Sequence, residues 1–139
     1  MNILFDASAM FKRYSGEAGA RRVLQLQSSA SAVTAAVHCK TEVASALSRQ
    51  WREGAFSDQE YERVLADIHA DFAELAVMPL SSQAEQYAIS AMHLVTLRSM
   101  DALHIGTAQA AHVDLFVTAD RRQAAAAQAV GLKTELIEA

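Results

Sequence analysis

Short apolar runs alternate with longer amphipathic stretches along the whole chain. That alternation points to a mainly parallel sheet covered by helices, because each parallel strand needs a long crossover, usually a helix, before the next. Asn2 to Phe5 has the make-up of a strand buried on both faces and stops at Asp6, with helix from Ala7. Glu17 to Ser28 reads as an amphipathic helix carrying Val23, Leu24 and Leu26, and Ala32 to Ala36 as the second strand. Val37 to Arg52 follows as a helix with the stripe Val43, Leu47, Trp51, ended by Gly54.

Asp58 to Ala76 predicts a long helix, then a short strand at Val77 and Met78 and the breaker Pro79. Ser82 to Leu97 and Ser99 to His112 are two more helices, the second with Ser99 as its expected N-cap; the stripe Met92, Val95, Leu97 reads as core. Asp114 to Thr118 is a strand, Asp120 opens an alanine-rich helix that ends at Gly131, and Lys133 to Ile137 supplies the last strand. The 139 residues, about half of them apolar and without a linker or repeat, fit one domain over 1–139.

Four acidic residues interrupt this apolar pattern: Asp6, Glu42, Asp101 and Asp120 lie at strand ends or in the first turns of the helices that follow. A carboxylate beside buried strands is costly unless compensated, and several at one point repel one another. In a parallel α/β sheet the crevice lies outside the carboxyl ends of the strands, and Asp6 and Asp120 belong on that edge. Helices that follow strands start there too, so Glu42 and Asp101 can converge with them. Three aspartates and a glutamate offer hard oxygen donors, which suit Mg2+ or Mn2+ rather than zinc.

Each acid also has a purely structural explanation. Asp6 would cap its helix, and Asp101 and Asp120 would favour helix dipoles. Glu42 gains least from either. His38, His69, His93 and His112 show no ligand spacing, and His104, one turn after Asp101, reads as a packed helix histidine rather than a general base. Cys39, the only cysteine, permits no intramolecular disulfide and reads as a small buried thiol.

The net charge of -4 does not exclude a nucleic-acid partner, because the acid is concentrated. Asp58 to Glu74 carries six carboxylates against Arg63 alone, and the rest of the chain sums to one positive charge. That acidic stretch reads as a solvated helix face. Arg13, Lys40, Arg121 and Arg122 are candidate phosphate contacts, with Lys12 and Arg98 of similar standing. The N-terminus lacks the features of a signal peptide and no apolar run approaches spanning length, so a soluble, cytoplasmic protein without membrane contact is expected.

Four segments together resemble one family, the PIN-domain ribonucleases and in particular the VapC-like toxins of toxin-antitoxin pairs. They are Leu4-Phe5-Asp6-Ala7-Ser8-Ala9, Thr41-Glu42-Val43-Ala44-Ser45-Ala46-Leu47, Met100-Asp101-Ala102-Leu103-His104-Ile105-Gly106-Thr107-Ala108, and Phe116-Val117-Thr118-Ala119-Asp120-Arg121. The resemblance implies a three-layer PIN-like α/β fold with four to five central strands. It implies a catalytic acidic pocket of Asp6, Glu42, Asp101 and Asp120 holding one or two Mg2+ or Mn2+ ions, with the hydroxyls of Ser8 and Thr118 ordering it.

Implied with the pocket are an RNA substrate cut by metal-dependent hydrolysis, a cognate antitoxin and a homodimer. The helices near Glu17 to Leu26 and Ala36 to Leu47 are the candidate docking surfaces. In one departure, Arg121-Arg122-Gln123 stands where some members carry a further acid, which weakens the case for a second metal. The alternative is a catalytically inactive PIN-like module that binds RNA or protein. Phosphatase and phospho-receiver readings fail for want of an acid at Ser8, an early acidic pair or a late lysine, and no glycine-rich loop follows the first strand.

Overall fold

The computed structural model describes residues 1–138. Ala139, the last residue of the expected 1–139 domain, lies outside the described residues. In chain order the elements are β1 (Asn2–Phe5), α1 (Ala7–Ser15), α2 (Ala20–Ser29), β2 (Ala32–Ala36), α3 (Cys39–Arg52) and α4 (Asp58–Ala73). There follow β3 (Ala76–Met78), α5 (Ser82–Leu94), α6 (Ser99–Ala110), β4 (Leu115–Thr118), α7 (Arg121–Ala129) and β5 (Thr134–Leu136). The strands form one parallel sheet in the order β3-β2-β1-β4-β5.

Strand pleating divides the central strands between two apolar cores. Ile3, Phe5, Leu115 and Val117 pack with Met10, Val23, Val43 and Ile68 from α1 to α4, whereas Leu4 and Phe116 pack with Ala91, Ile105, Ala108 and Ala127 from α5 to α7. The result is the expected three-layer α/β architecture. On the α5–α6 side the helices approach closely: a Cβ on Gly106 would meet the Ala84 carbonyl oxygen at 2.2 Å, so only glycine fits. That contact fixes α6, and with it the position of Asp101.

The topology singles out one place on the sheet. The chain leaves β1 toward β2 and β3 on one side and leaves β4 toward β5 on the other, so the switch point lies between the carboxyl ends of β1 and β4. Asp6 and Asp120 follow those two strands. Because α3 follows β2 and α6 leads into β4, both helices start at that same edge.

Several expected boundaries move. α2 begins at Ala20 rather than Glu17 and α3 at Cys39 rather than Val37, while α4, α5 and α6 stop short of their expected ends. The backbone turns extended at Val95 (φ -141°, ψ 153°), so Val95 and Leu97 reach the second core from a loop while Met92 stays exposed, which corrects the expected stripe. Leu24 and Trp51 also leave their stripes. Trp51 instead stacks on Tyr61 with ring centroids 4.9 Å apart and donates to Asp58 Oδ1 at 2.9 Å. Among the described residues no helix is long and apolar enough to cross a membrane.

Candidate metal centre

Asp6 is the N-cap of α1, in extended conformation, and its Oδ1 accepts from the Ala9 amide at 2.9 Å and the Ser8 hydroxyl at 2.7 Å. The other oxygen, Oδ2, accepts from Thr118 Oγ1 at 2.5 Å. Thr118 in turn accepts from the Asp120 amide at 3.0 Å, and Ser8 Oγ accepts from the Ala119 amide at 2.9 Å. The end of β1 is thereby laced to the end of β4. Ser8 and Thr118 both bond the Asp6 carboxylate, and their hydroxyls are 3.2 Å apart.

Asp120 is the N-cap of α7, and its Oδ1 accepts from the Arg122 and Gln123 amides at 2.8 and 3.3 Å. The capping explanation is therefore real for Asp6 and Asp120, but it uses only part of the acceptor capacity of each. Asp101 lies in the first turn of α6, whose N-cap is Arg98 without a side-chain bond, rather than Ser99 as expected. Among the described residues the Asp101 carboxylate takes part in no hydrogen bond or ion pair. Its helix start is held near Asp120 by Gln123, a buried residue whose Nε2 donates to the Asp101 carbonyl at 2.9 Å. The sequence reading gave Gln123 no role, although a glutamine one turn into a helix opened by a candidate ligand was a readable signal.

Electrostatics express the crowding. Burial pushes the Asp6 carboxyl above the usual range, opposed by the His104 charge and by the Thr118, Ser8 and Ala9 hydrogen bonds. Asp101 is also raised, first by burial and next by the negative charge of Asp120, with Asp6 and Glu42 adding to it. Asp101 thus feels the neighbouring carboxylates, with only the His104 charge opposing them. A cleft of about 470 Å³ opens over Asp101 and Asp120, rimmed by Arg98, Arg121 and Arg122.

The cations do not neutralise the acids. Arg121 pairs with Glu138 at 3.2 Å, and among the described residues Arg98 and Arg122 form no ion pair. Arg13 turns instead toward α4, where it pairs with Asp71 at 3.3 Å, and it donates to Gln27, which counts against a phosphate role. Lys12 pairs with Glu17. Lys40 lies in the first turn of α3, next to the Glu42 region.

Glu42 has company that the sequence reading did not assign. Its Oε1 lies 2.5 Å from His104 Nε2 and 3.4 Å from His38 Nε2, and the two imidazole rings are 4.2 Å apart. Burial alone would raise the Glu42 carboxyl, but the His104 hydrogen bond and the charges of His104 and His38 leave it lowered. The expectation that histidines form no cluster is therefore corrected. His38 and Glu42 are one helical turn apart in sequence, which was visible; His104 is 62 residues away and reaches them only through the fold. Cys39 is the expected buried thiol, its pKa pushed well up by burial.

The donor chemistry of Asp6, Asp101 and Asp120 fits a hard divalent cation: oxygen atoms only, partly desolvated, with no competing ammonium or guanidinium bound to them. Their carboxylates do not form a threesome with donor atoms within 4.8 Å of one another; among the described residues only His38, Glu42 and His104 do.

An open-edged parallel sheet with Asp6 and Asp120 after the two strands that flank its switch point defines the class, a parallel α/β protein with carboxylates at that edge. The PIN domain family model matches residues 3–129, and the chain belongs to that family. Solved structures share the fold at low identity. VapBC2 from Rickettsia felis bound to a DNA fragment from their promoter matches with TM-score 0.70 and 12% identity over 98% of each chain. DNA-bound VapBC from Salmonella typhimurium gives 0.68 and 16% over 97% of each chain. VapC20 from Mycobacterium tuberculosis, a Sarcin-Ricin loop cleaving toxin, gives 0.67 and 15% over 94% of this chain and 95% of that one. No curated protein sequence matches significantly.

Proposed function

We propose that this protein is a Mg2+- or Mn2+-dependent endoribonuclease acting as the toxin of a toxin-antitoxin pair. The observation that carries the reading is the unpartnered Asp101 carboxylate, raised by burial and by the charges of Asp120, Asp6 and Glu42, on the floor of an arginine-rimmed cleft. Membership of the PIN domain family and the shared fold with a VapC structure described as a Sarcin-Ricin loop cleaving toxin support it.

Asp6 and Asp101 are the principal ligands in this reading, and Asp120 completes the shell. A bound divalent ion supplies Lewis acidity toward the scissile phosphate and a water acidic enough to attack it. The chain's own groups do the positioning. Ser8 and Thr118 hold the Asp6 carboxylate in one orientation through its two oxygens. Glu42, held by His104, orients a water on the α3 side. Arg98 and Arg122 face the cleft without ion pairs and are placed to receive phosphates of the RNA backbone.

An antitoxin and a second copy of the chain are the proposed protein partners, with exposed Leu24 and Val37 marking the α2 and α3 docking surfaces. One VapBC neighbour is described as bound to a DNA fragment from its promoter and another as DNA bound, and the antitoxin partner is proposed here on that likeness. Asp101→Asn keeps the shape of the side chain but removes its charge, and it is expected to lower Mn2+-dependent cleavage of RNA by at least ~10²-fold. Cleavage at the unaltered rate in the variant would exclude the metal-nuclease reading and leave a non-cutting RNA- or protein-binding module.

A further inference from the structure

The cluster around Glu42 differs in chemistry from the oxygen site. Two imidazole nitrogens and one carboxylate oxygen, from His38, His104 and Glu42, all lie within 4.8 Å of one another. They come from the starts of two helices, α3 and α6, that the fold holds together: Glu42 and His38 are one turn apart at the head of α3, and His104 comes from the second turn of α6. His104 is almost fully buried, so its Nε2 is aimed at the cluster by the core and not by chance side-chain sampling. The gap of 3.4 Å between His38 Nε2 and Glu42 Oε1 is about the separation of two ligands on a tetrahedral ion at roughly 2.0–2.1 Å from each.

We infer that His38 Nε2, His104 Nε2 and Glu42 Oε1 form a second cation site, selective for a borderline transition metal of the Zn2+ or Co2+ class. Two imidazoles and a carboxylate prefer such ions over Mg2+, whose partners are oxygen and water. The site needs no contribution from Asp6, Asp101 or Asp120, but it shares Glu42 and His104 with the proposed nuclease pocket, so an ion there takes Glu42 from its water-orienting role. Two present contacts must yield when the ion enters. His38 Nε2 gives up its 2.9 Å contact with the Met100 carbonyl, and the close His104 to Glu42 hydrogen bond opens around the metal.

Binding through Nε2 shifts the His104 ring proton to Nδ1, for which the described residues offer no acceptor. Affinity is therefore expected below that of structural zinc sites, in which a hydrogen-bonded second nitrogen orients each histidine. Glu42, with 32% of its side chain accessible, is the most open of the three, so a coordination position for water lies on its side.

Co2+ alone, titrated into the full-length protein, tests the site. The expected result is a Co2+ ion bound with visible ligand-field bands and paramagnetically shifted imidazole N–H resonances from two rings, signals that Co2+ held by the oxygen site does not give. His38→Ala, at a partly exposed position where a fold check by circular dichroism is simple, is expected to weaken binding by more than the roughly 10–100-fold that loss of an outer-shell partner costs. Asp101→Asn is expected to leave Co2+ binding intact. Absence of Co2+ binding, binding without shifted imidazole signals, unchanged affinity in His38→Ala, or loss in Asp101→Asn would each overturn the assignment. RNA cleavage by Asp101→Asn reports separately on the nuclease.

Discussion

Two acidic regions of this molecule look alike in sequence and differ in kind. Along α4 the carboxylates are either exposed to water, as Glu62 and Asp67 are, or partnered: Asp58 accepts from Trp51, Asp71 accepts from Tyr14 and pairs with Arg13, and Glu60 closes a capping box with Ser57. At the sheet edge Asp101 has no such partner among the described residues, and Asp6 and Asp120 spend only part of their acceptor capacity on caps. Burial raises Asp6, and burial together with like charge raises Asp101, whereas the Ser57 hydrogen bonds lower Glu60. Density of charge does not locate a site; charge left without an answer does.

Substitution gives the largest expected contrast. Asp101→Asn removes cleavage by at least ~10²-fold, while Asp67→Asn on the α4 face changes neither cleavage nor, by more than about 0.5 kcal/mol, stability. Equal losses from both in one RNA-cleavage assay would erase the distinction between the regions.

Metal and pH act next. Asp6 and Asp101 have folded-state pKa values above their unfolded ones, so they favour the folded state at low pH. That contribution is lost in the metal-free protein as pH rises from the ordinary carboxyl range through the raised values. Glu60 has the opposite sign: lowered in the fold, it adds stability above its unfolded value, and this is lost as pH falls. On the proposed reading, Mn2+ is expected to bind the ionised acids and to add about 2.7 kcal/mol at a hundred times its Kd. Thermal melts at neutral pH with and without Mn2+ check this, and Asp101→Asn should lose most of the gain.

The ordering hydroxyl comes third. Thr118→Val keeps the volume but leaves the buried Asp6 oxygen and the Asp120 amide without their partner, a cost of roughly 1–3 kcal/mol in chemical denaturation, with slower cleavage. Ser57→Ala, on the α4 side, costs about 1 kcal/mol through the lost cap and leaves cleavage unchanged.

Much of this was legible in the residues. Near-continuous apolar runs gave β1, β2 and β4 because buried parallel strands need no polar face, and β2 lies at Ala32–Ala36 as read. The edge positions of Asp6 and Asp120 followed from strand alternation alone. Helix ends were less readable: Trp51 continues a helical spacing yet prefers the Tyr61 ring and the Asp58 carboxylate at the surface. The His104 contact with Glu42 was hidden because nothing local couples positions 62 residues apart. Asp101 shows the limit from the other side: its place in a first turn was readable, but its lack of a partner is a property of the packed molecule.

Anomalous diffraction from crystals grown with Mn2+ tests the central claim most directly. A Mn2+ peak bound by Asp6 and Asp101, with Asp120 in its shell or joined through water, is the predicted result. Saturating Mn2+ with no peak at that edge, and Asp101 instead engaged by Arg98 or Arg122, would contradict it.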